Sequence, residues 1–390
     1  MIRLLRNAEV YAPEPRGLQD LLIAGERIVW IGPELPPLPD QLAAEEIDLG
    51  GRRAVPGLVD GHAHLTGGGG EAGPHTRVPP LPLHAFTTSG VTTAVGVLGT
   101  DDVTRSTAEL VATARGLTEL GLTAFCHTGG YHLPPRTLTG SVRGDIALVH
   151  EIIGVGEVAI SDHRSSQPTL DELLRLAGEA HVGGLMSGKA GILHLHVGDG
   201  PRGLDLVRDA LDRAELPPRV FHPTHVNRRP GLFDDALELA DRGVTIDVTA
   251  FPVAEDEGGL EAAEAIVRYW DAGLPSERIT VSSDGGGCLP AFDGEGRVTG
   301  FGVGRVAALA DALQRLLADG HALEQTLPPF TANPAGLFRF ARKGRIAAGM
   351  DADLVILDSS GGMHDVMARG RWHVRGGQVV VSGPFEGEAR

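Results

Sequence analysis

The feature that most constrains the fold is an alternation, through the middle of the chain, of short apolar runs with longer stretches of helical periodicity. Near-continuous apolar strands alternating with helices indicate a parallel sheet that is covered on its outside. Eight such units over residues 56–344 predict a closed (β/α)8 TIM-type barrel, and the overall class is α/β. The apolar runs lie at 56–61, 92–98, 122–127, 156–161, 192–197, 219–225, 244–249 and 278–283, and the helix-like stretches at 103–120, 169–181, 229–242, 260–272 and 303–318.

A doubly wound open sheet is the alternative to a barrel. Such a sheet would carry a glycine-rich phosphate turn after its first strand. The chain has His62-Ala63-His64 at that position, which favours the barrel.

The two ends of the chain have a different pattern. Residues 1–55 and 345–390 contain short strand-like runs punctuated by Gly, Pro and Asp, without a helical period. The sequence therefore predicts that 1–55 and 345–390 pair into one small β-sandwich domain beside the barrel.

Net charge and cysteine content limit which binding partners and which cellular compartment are expected. The formal net charge is −17, so binding to nucleic acid or to an anionic membrane is not expected. The N-terminus has charges and prolines where a signal peptide needs an apolar run, and no apolar stretch approaches membrane-span length. With only Cys126 and Cys288, a disulfide framework is not expected, and we predict a cytoplasmic protein.

The strongest chemical motif is the His-Ala-His at the end of the first barrel strand. Because side chains alternate along a strand, His62 and His64 point the same way. At the carboxyl end of a barrel strand that direction leads to the active face, where two imidazoles can hold one divalent metal. Taken alone, the pair could equally be two ordinary histidines.

Further candidate ligands follow later strands. Because these side chains fall at strand ends, one face of the barrel would collect four histidines and two carboxylates. This set suits two divalent cations, expected to be Zn²⁺, about 3.5–4 Å apart. The later candidates are Glu157, His196, His225 and Asp284.

Longer motifs resemble the amidohydrolase superfamily and, within it, the isoaspartyl (β-aspartyl) dipeptidases, along essentially the whole chain. The most selective are Gly67-Gly68-Gly69-Gly70-Glu71-Ala72-Gly73-Pro74 and Ser161-Asp162-His163-Arg164. Gly349-Met350-Asp351-Ala352-Asp353-Leu354 marks the superfamily only. The resemblance implies a metal-dependent dipeptidase that hydrolyses β-aspartyl dipeptides through a hydroxide bridging two metals.

The resemblance also implies how the ligands divide. His62, His64 and Asp284 would bind one metal, and His196 and His225 the second. Relatives commonly bridge the two metals with a carboxylated lysine. In this chain the matching residue is Glu157, and the only lysines, Lys189 and Lys343, lie outside the predicted strand ends. We therefore expect Glu157 to be the bridging ligand; otherwise it is an acid outside the ligand shell and the second metal is weak or absent.

Roles toward substrate come from the same resemblance. The expected substrate is a small zwitterionic dipeptide. Most arginines in proteins form surface salt bridges. Arg164 and Arg228, however, directly follow predicted strands and lie beside ligand candidates. The expected roles are Glu71 for the ammonium, Arg164 and Arg228 for carboxylates, Thr100 for a hydrogen bond, Tyr131 for polarising the scissile carbonyl, Asp284 for proton transfer, and Cys288 as a weaker donor where relatives have serine.

Two other functions stay open. The same scaffold resembles enzymes that act on cyclic amides, such as hydantoinases and dihydroorotases, and deaminases. A non-catalytic scaffold is a further alternative, although it would predict eroded ligands. By analogy we also expect a homo-oligomer.

Overall fold

A computed structural model of the chain describes residues 1–253, 258–292 and 298–386. Strands form both ends of the chain and the wall of its central part. Numbered in chain order they are β1 (Ile2–Tyr11), β2 (Pro15–Ala24), β3 (Arg27–Gly32), β4 (Glu45–Asp48), β5 (Arg53–Pro56), β6 (Leu58–Ala63), β7 (Val91–Gly96), β8 (Thr123–Thr128), β9 (Ile152–Ile160), β10 (Ile192–Val197), β11 (Phe221–Thr224), β12 (Ile246–Thr249), β13 (Ile279–Ser282), β14 (Cys288–Phe292), β15 (Val298–Val303), β16 (Leu354–Leu357), β17 (Met363–Ala368), β18 (Arg371–Arg375) and β19 (Gln378–Val379).

The two chain ends share one nine-stranded sheet. Its order is β19-β18-β17-β16-β5-β1-β2-β3, with β4 paired to β1. The junction is the antiparallel pair of β5 and β16, where Val55 lies opposite Val355. The pairing of the ends agrees with the sequence; their arrangement as a two-layer sandwich stays a prediction.

The central strands form the wall of a barrel. Strands β6 to β11 are parallel and adjacent in chain order, and β12 pairs in parallel with β13. The backbone N–H of Asp284, just after β13, donates to the carbonyl of His62 in β6 (3.1 Å). Asn227, just after β11, exchanges hydrogen bonds with Thr249 of β12 (3.0 and 2.9 Å). The parallel strands thus curl into a ring consistent with a TIM-type barrel.

Helices cover the outside of this ring. Three of them begin at side-chain caps: Ser106 accepts from the backbone of Glu109, Ser141 accepts from that of Gly144, and Thr169 forms a capping box with Glu172. No helix in the described part of the chain is both long enough and apolar enough to cross a bilayer. The helices are α1 (Leu83–Thr87), α2 (Thr107–Glu119), α3 (Val142–Leu148), α4 (Leu170–Ser187), α5 (Asp205–Arg213), α6 (Pro230–Asp241), α7 (Ala262–Asp271), α8 (Ala307–Ala318), α9 (Leu323–Thr326) and α10 (Ala332–Leu337).

The sequence located the long elements and missed short ones. The eight predicted runs correspond to β6–β13, and the predicted helices correspond to α2, α4, α6, α7 and α8. Helices α3 and α5 have seven and nine residues, too few turns for a clear period. Within the strand-like region 1–55, residues 20–32 are divided between β2 and β3 by a turn at Gly25 (φ 61°). The hairpin of β14 and β15 was not predicted.

Candidate active site at the mouth of the barrel

A cavity of about 740 Å³ opens at the carboxyl ends of the barrel strands. Its volume lies in the range that holds small organic ligands. Residues from both the predicted ligand set and the predicted substrate set line it, including His64, Glu71, Tyr131, Glu157, Arg164 and Asp284.

The two histidines of the first barrel strand face one carboxylate. Asp284 Oδ1 lies 3.4 Å from His62 Nε2 and 3.2 Å from His64 Nε2. All three side chains are buried. His62 and His64 therefore point the same way, as the alternation of side chains along the strand predicts.

Glu157 lies at the centre of the cluster. Its Oε2 is 3.1 Å from His196 Nδ1 and 3.6 Å from both His62 Nε2 and His225 Nε2. Its Oε1 is 3.4 Å from His64 Nε2. One carboxylate thus lies within 3.6 Å of all four predicted histidine ligands.

Two of these residues adopt a strained backbone conformation. His225 has φ 63° and Asp284 has φ 50°, in the left-handed region that non-glycine residues rarely occupy. Such conformations cost on the order of 1–3 kcal/mol and cluster at functional sites. Here they turn each side chain inward directly after a strand ends.

The donor atoms fit a metal centre. His62 Nε2, Glu157 Oε1 and Asp284 Oδ1 are buried and have no hydrogen-bond partner among the described residues. Two groups have ligand atoms within 4.8 Å of one another: His62, His64 and Asp284, and His62, Glu157 and His225. Imidazole and carboxylate donors in such clusters suit Zn²⁺-like divalent ions. His196 lies outside these two groups, although its Nδ1 contacts Glu157.

Charge complementarity explains the protonation of the cluster. Burial alone would raise the pKa of Glu157, but His62, His196 and His225 hold it well below its usual value. Burial would likewise raise the pKa of Asp284, yet His62 and His64 keep it low. Both carboxylates are therefore negatively charged and suited to neutralising cations.

Neither lysine reaches the site. Lys189 Nζ donates to the backbone carbonyls of Ile146 (2.7 Å) and Ile152 (3.0 Å). Lys343 Nζ binds Asp353 (2.6 Å) and Thr123 (2.6 Å), near the terminal sheet. A carboxylated lysine bridge is therefore excluded by position.

Tyr131 and His196 are linked beside the cluster. The Tyr131 hydroxyl lies 2.8 Å from His196 Nδ1, and the ring is buried. Burial raises the pKa of Tyr131 well above its usual value, and the charge of Glu157 adds to the shift, so the phenol keeps its proton. The group can donate a hydrogen bond into the cavity.

Asp162 connects a candidate metal ligand to a candidate substrate residue. Its Oδ2 lies 3.1 Å from His196 Nε2 and accepts a hydrogen bond from Arg164 NH2 (2.7 Å). Its Oδ1 accepts from Arg164 Nε (3.0 Å). Sequence reasoning quoted Asp162 in its motif but gave it no role, because the contact with His196 joins residues 34 positions apart.

The predicted ammonium and carboxylate sites are adjacent. Glu71 Oε1 lies 3.7 Å from Arg164 NH1, and Glu71 Oε2 is buried without a hydrogen-bond partner among the described residues. Burial raises the pKa of the neighbouring Cys288 thiol to about 12, and Glu71 adds to the rise. The thiol is therefore protonated and has a proton to donate.

Arg228 and Thr100 line the same cavity. The Arg228 guanidinium lies 6.0 Å from the Phe251 ring centroid and 3.8 Å from Asp199 Oδ1, and its Nε has no hydrogen-bond partner in the described structure. Thr100 Oγ1 is likewise buried and unbonded there. Both therefore have donors available to a ligand.

The four-glycine loop after β6 packs closely against the backbone of a neighbouring segment. A Cβ on Gly67 would lie 2.0 Å from the carbonyl oxygen of Val78, and one on Gly69 would lie 2.4 Å from that of Thr76. Both glycines have positive φ. The loop needs glycine to pack against residues 76–78, and this packing sets the position of Glu71.

Sequence reasoning also missed polar residues beneath the site. Asp60 accepts hydrogen bonds from Ser283 Oγ (2.5 Å) and from the backbone of His62 (3.3 Å). His194 and His222 are fully buried inside the barrel. His194 lies two residues before His196 on β10, and this spacing, which places both side chains on the same face of the strand, was the available signal.

Comparisons with known proteins agree with this geometry. The chain has a TM-score of 0.92 and 42% identity, over the full length of both chains, with the β-aspartyl dipeptidase of Fervidobacterium islandicum AW-1 in complex with β-Asp-Leu dipeptide. A second structure of a β-aspartyl dipeptidase from that organism gives 0.87 and 40%, over 97% of this chain and 98% of the other. The dihydropyrimidinase of Brevibacillus agri NCHU1002 (TM-score 0.69, 19% identity, 98% and 96% coverage) shares the fold alone.

Curated relatives match over shorter stretches. The imidazolonepropionase of Acidiphilium cryptum is 45% identical over 82 residues, 19% of this chain, and that of Arthrobacter sp. is 31% identical over 146 residues, 37% of this chain. These matches span about a fifth and about a third of the relatives' own lengths. Residues 53–373 match the Amidohydrolase family. The chain belongs to the amidohydrolase family.

Proposed function

We propose that this protein is a metal-dependent dipeptidase that hydrolyses β-aspartyl (isoaspartyl) dipeptides. The observation that carries the proposal is a carboxylate–guanidinium pair, Glu71 and Arg164, on the wall of a cavity that also contains the histidine–carboxylate cluster. The full-length similarity to β-aspartyl dipeptidases supports the same substrate class.

The donor set suits two divalent ions, for which we propose Zn²⁺. His62, His64 and Asp284 would hold one ion, His196 and His225 the other, and Glu157 would contact both, replacing a carboxylated lysine. When bound, the ions would lower the pKa of a water molecule and polarise the scissile carbonyl.

Substrate recognition is assigned to charged groups on the cavity wall. Glu71 would pair with the free ammonium through Oε2, which has no other partner among the described residues. Arg164, held in place by both oxygens of Asp162, would bind a carboxylate as a fork. Arg228 would bind the second carboxylate, with Thr100 and Cys288 as additional donors. A ring substrate without these charges would leave Glu71 and the arginines unmatched.

Proton transfer is assigned to Asp284. Its Oδ1 is buried, ionised and directed at the histidine cluster, so it can take a proton from the attacking water. The same oxygen can then deliver the proton to the leaving amine. Tyr131, whose phenol keeps its proton, would donate to the carbonyl oxygen as negative charge builds on it.

The test is a substrate panel with purified, metal-analysed protein. We expect hydrolysis of β-Asp-Leu and no comparable activity on α-Asp-Leu, dihydroorotate or hydantoin. N-acetyl-β-Asp-Leu should fail, because acetylation removes the ammonium that Glu71 would bind. Efficient cleavage of the acetylated dipeptide, or a preference for either ring, would contradict the assigned substrate.

Two variants test the assigned chemistry. Asp284→Asn should lower kcat by two to four orders of magnitude, about the contribution of general acid–base catalysis. Glu157→Ala should lower the bound metal stoichiometry. Asp212→Asn is the matched control, since its carboxylate pairs with Arg242 on the surface, far along the chain from the cluster. Normal turnover in Asp284→Asn, or full stoichiometry in Glu157→Ala, would remove that residue from the proposal.

A further inference from the structure

The interior of the barrel beneath the site contains histidines that the proposed chemistry does not use. His194 on β10 and His222 on β11 are fully buried, and neither lines the cavity. Barrel interiors are usually filled by branched apolar side chains. Buried polar groups are almost always hydrogen-bonded, so these imidazoles need partners inside the barrel.

Their contacts form a continuous chain from the site to a buried carboxylate. His62 Nδ1 lies 2.7 Å from His194 Nε2, and His194 Nδ1 lies 2.9 Å from His222 Nδ1. His222 Nε2 lies 3.2 Å from the hydroxyl of Thr280, which donates to Asp247 Oδ1 (2.6 Å). We call these five residues the histidine chain.

The carboxylate end sets the direction of the hydrogen bonds. Asp247 accepts from three hydroxyls: Thr280, Ser282 (2.5 Å) and Thr224 (2.7 Å). Because Thr280 uses its only proton for Asp247, its oxygen can serve His222 only as an acceptor. His222 must therefore carry its proton on Nε2.

The proton position on His222 then determines those on His194 and His62. A neutral imidazole has one N–H and one lone pair, so His222 accepts at Nδ1 from His194, and His194 accepts at Nε2 from His62. Burial lowers the pKa of His222 to about 3, aided by His127, which keeps this ring neutral. When a metal is bound, His62 would keep its proton on Nδ1 and present the lone pair of Nε2, the atom that faces Asp284 and Glu157.

We propose that the histidine chain fixes the tautomer and ring orientation of His62 for metal binding, which makes Thr280 and Asp247 positioning residues remote from the cavity. The proposal rests on the metal centre of the proposed function and is independent of the substrate. Partners beyond the ligand shell typically change metal affinity by 10- to 100-fold.

The direct test is ¹⁵N NMR of histidine-labelled, Zn²⁺-reconstituted protein. We expect His62 and His194 protonated at Nδ1 only and His222 at Nε2 only. A reversed tautomer of His194 or His222, or a doubly protonated ring, would overturn the proposal. The tautomers of His194 and His222 can also be measured in metal-free protein, so this arm stands even if the protein binds no zinc.

A variant series tests the consequence for metal binding. Thr280→Val removes the hydroxyl at nearly constant shape and should weaken Zn²⁺ affinity about tenfold in chelator competition. Thr280→Ser should retain the wild-type affinity and tautomers. Thr93→Val is the matched control, because Thr93 is a buried barrel-strand threonine whose hydroxyl has no partner among the described residues.

The outcomes separate the two proposals. Absence of zinc binding by the unaltered protein would contradict the proposed function. Normal zinc binding with equal affinities in Thr280→Val and Thr93→Val would contradict the role of the histidine chain. If Thr280→Val does not fold, a wild-type affinity in Thr280→Ser together with the predicted tautomers supports the chain, and reversed tautomers refute it.

Discussion

Replacing Asp162 gives the sharpest test of how the site is held together. Its buried carboxylate accepts three hydrogen bonds from Arg164, including one from the backbone N–H (2.7 Å), and contacts His196 Nε2. Asp162→Ala would remove the carboxylate that accepts two hydrogen bonds from this largely buried guanidinium, leaving the longer contact with Glu71 (3.7 Å). Breaking one partner of a buried ion pair costs about 3–5 kcal/mol of unfolding free energy.

Asp162→Asn keeps the shape but loses the charge and one acceptor oxygen. We expect it to cost about 1.5–3 kcal/mol, the contribution of a hydrogen bond to a charged group. Burial would raise the pKa of Asp162, but His196 and Arg164 hold it well below its usual value. The carboxylate therefore stabilises the fold above its unfolded pKa of about 3.9, and this contribution is lost as pH falls through the folded pKa.

Urea denaturation of wild type, both variants and Asp212→Ala measures these costs. Asp212 pairs with Arg242 at 2.5 Å on the surface, with 59% of its side chain exposed, so its loss should cost about 0–1 kcal/mol. The Asp162 effect should be full at pH 7 and shrink below about pH 4. A loss in Asp162→Ala no larger than in Asp212→Ala would refute the reasoning, as would a difference that grows toward low pH.

Three further predictions concern ligands and metals. Arg228→Met keeps an unbranched side chain but removes the guanidinium that lies over Phe251, so KM for β-Asp-Leu should rise about tenfold or more with a smaller change in kcat; an unchanged KM would exclude a carboxylate contact. Cys288→Ser supplies a stronger donor, so KM should fall or stay constant, and the pH–rate profile should be unchanged because the thiol pKa is about 12; a large loss of kcat would mean that the thiol has a chemical role. Chelation should lower the midpoint of thermal unfolding, and added Zn²⁺ at about 100 times its Kd should raise the free energy of unfolding by about 2.7 kcal/mol; a midpoint that changes with neither treatment would argue against a metal centre.

Much of the fold was predictable because it depends on local periodicity. The eight apolar runs correspond to β6–β13, and the direction of His62 and His64 follows from strand alternation. The convergence of the ligand candidates follows from the rule that strand ends of a parallel barrel meet on one face. Their roles as ligands stay predictions.

The remaining features depend on contacts that periodicity does not encode. The Asp162–His196 contact requires the register of β9 against β10, and the Glu71–Arg164 proximity requires the folded glycine loop. The histidine chain links residues from five strands, so no single segment carries its pattern. The hairpin of β14 and β15, which begins at Cys288, does have a turn signal in Asp293-Gly294, but the sequence-based prediction did not use it.

Anomalous X-ray diffraction at the zinc edge, on crystals of the reconstituted protein, tests the central claim most directly. Two peaks about 3.5–4 Å apart are expected, one beside His62, His64 and Asp284 and one beside His196 and His225, with Glu157 in contact with both. A single peak, or two peaks with Glu157 in contact with neither, would contradict the paired-metal centre on which the proposed activity depends.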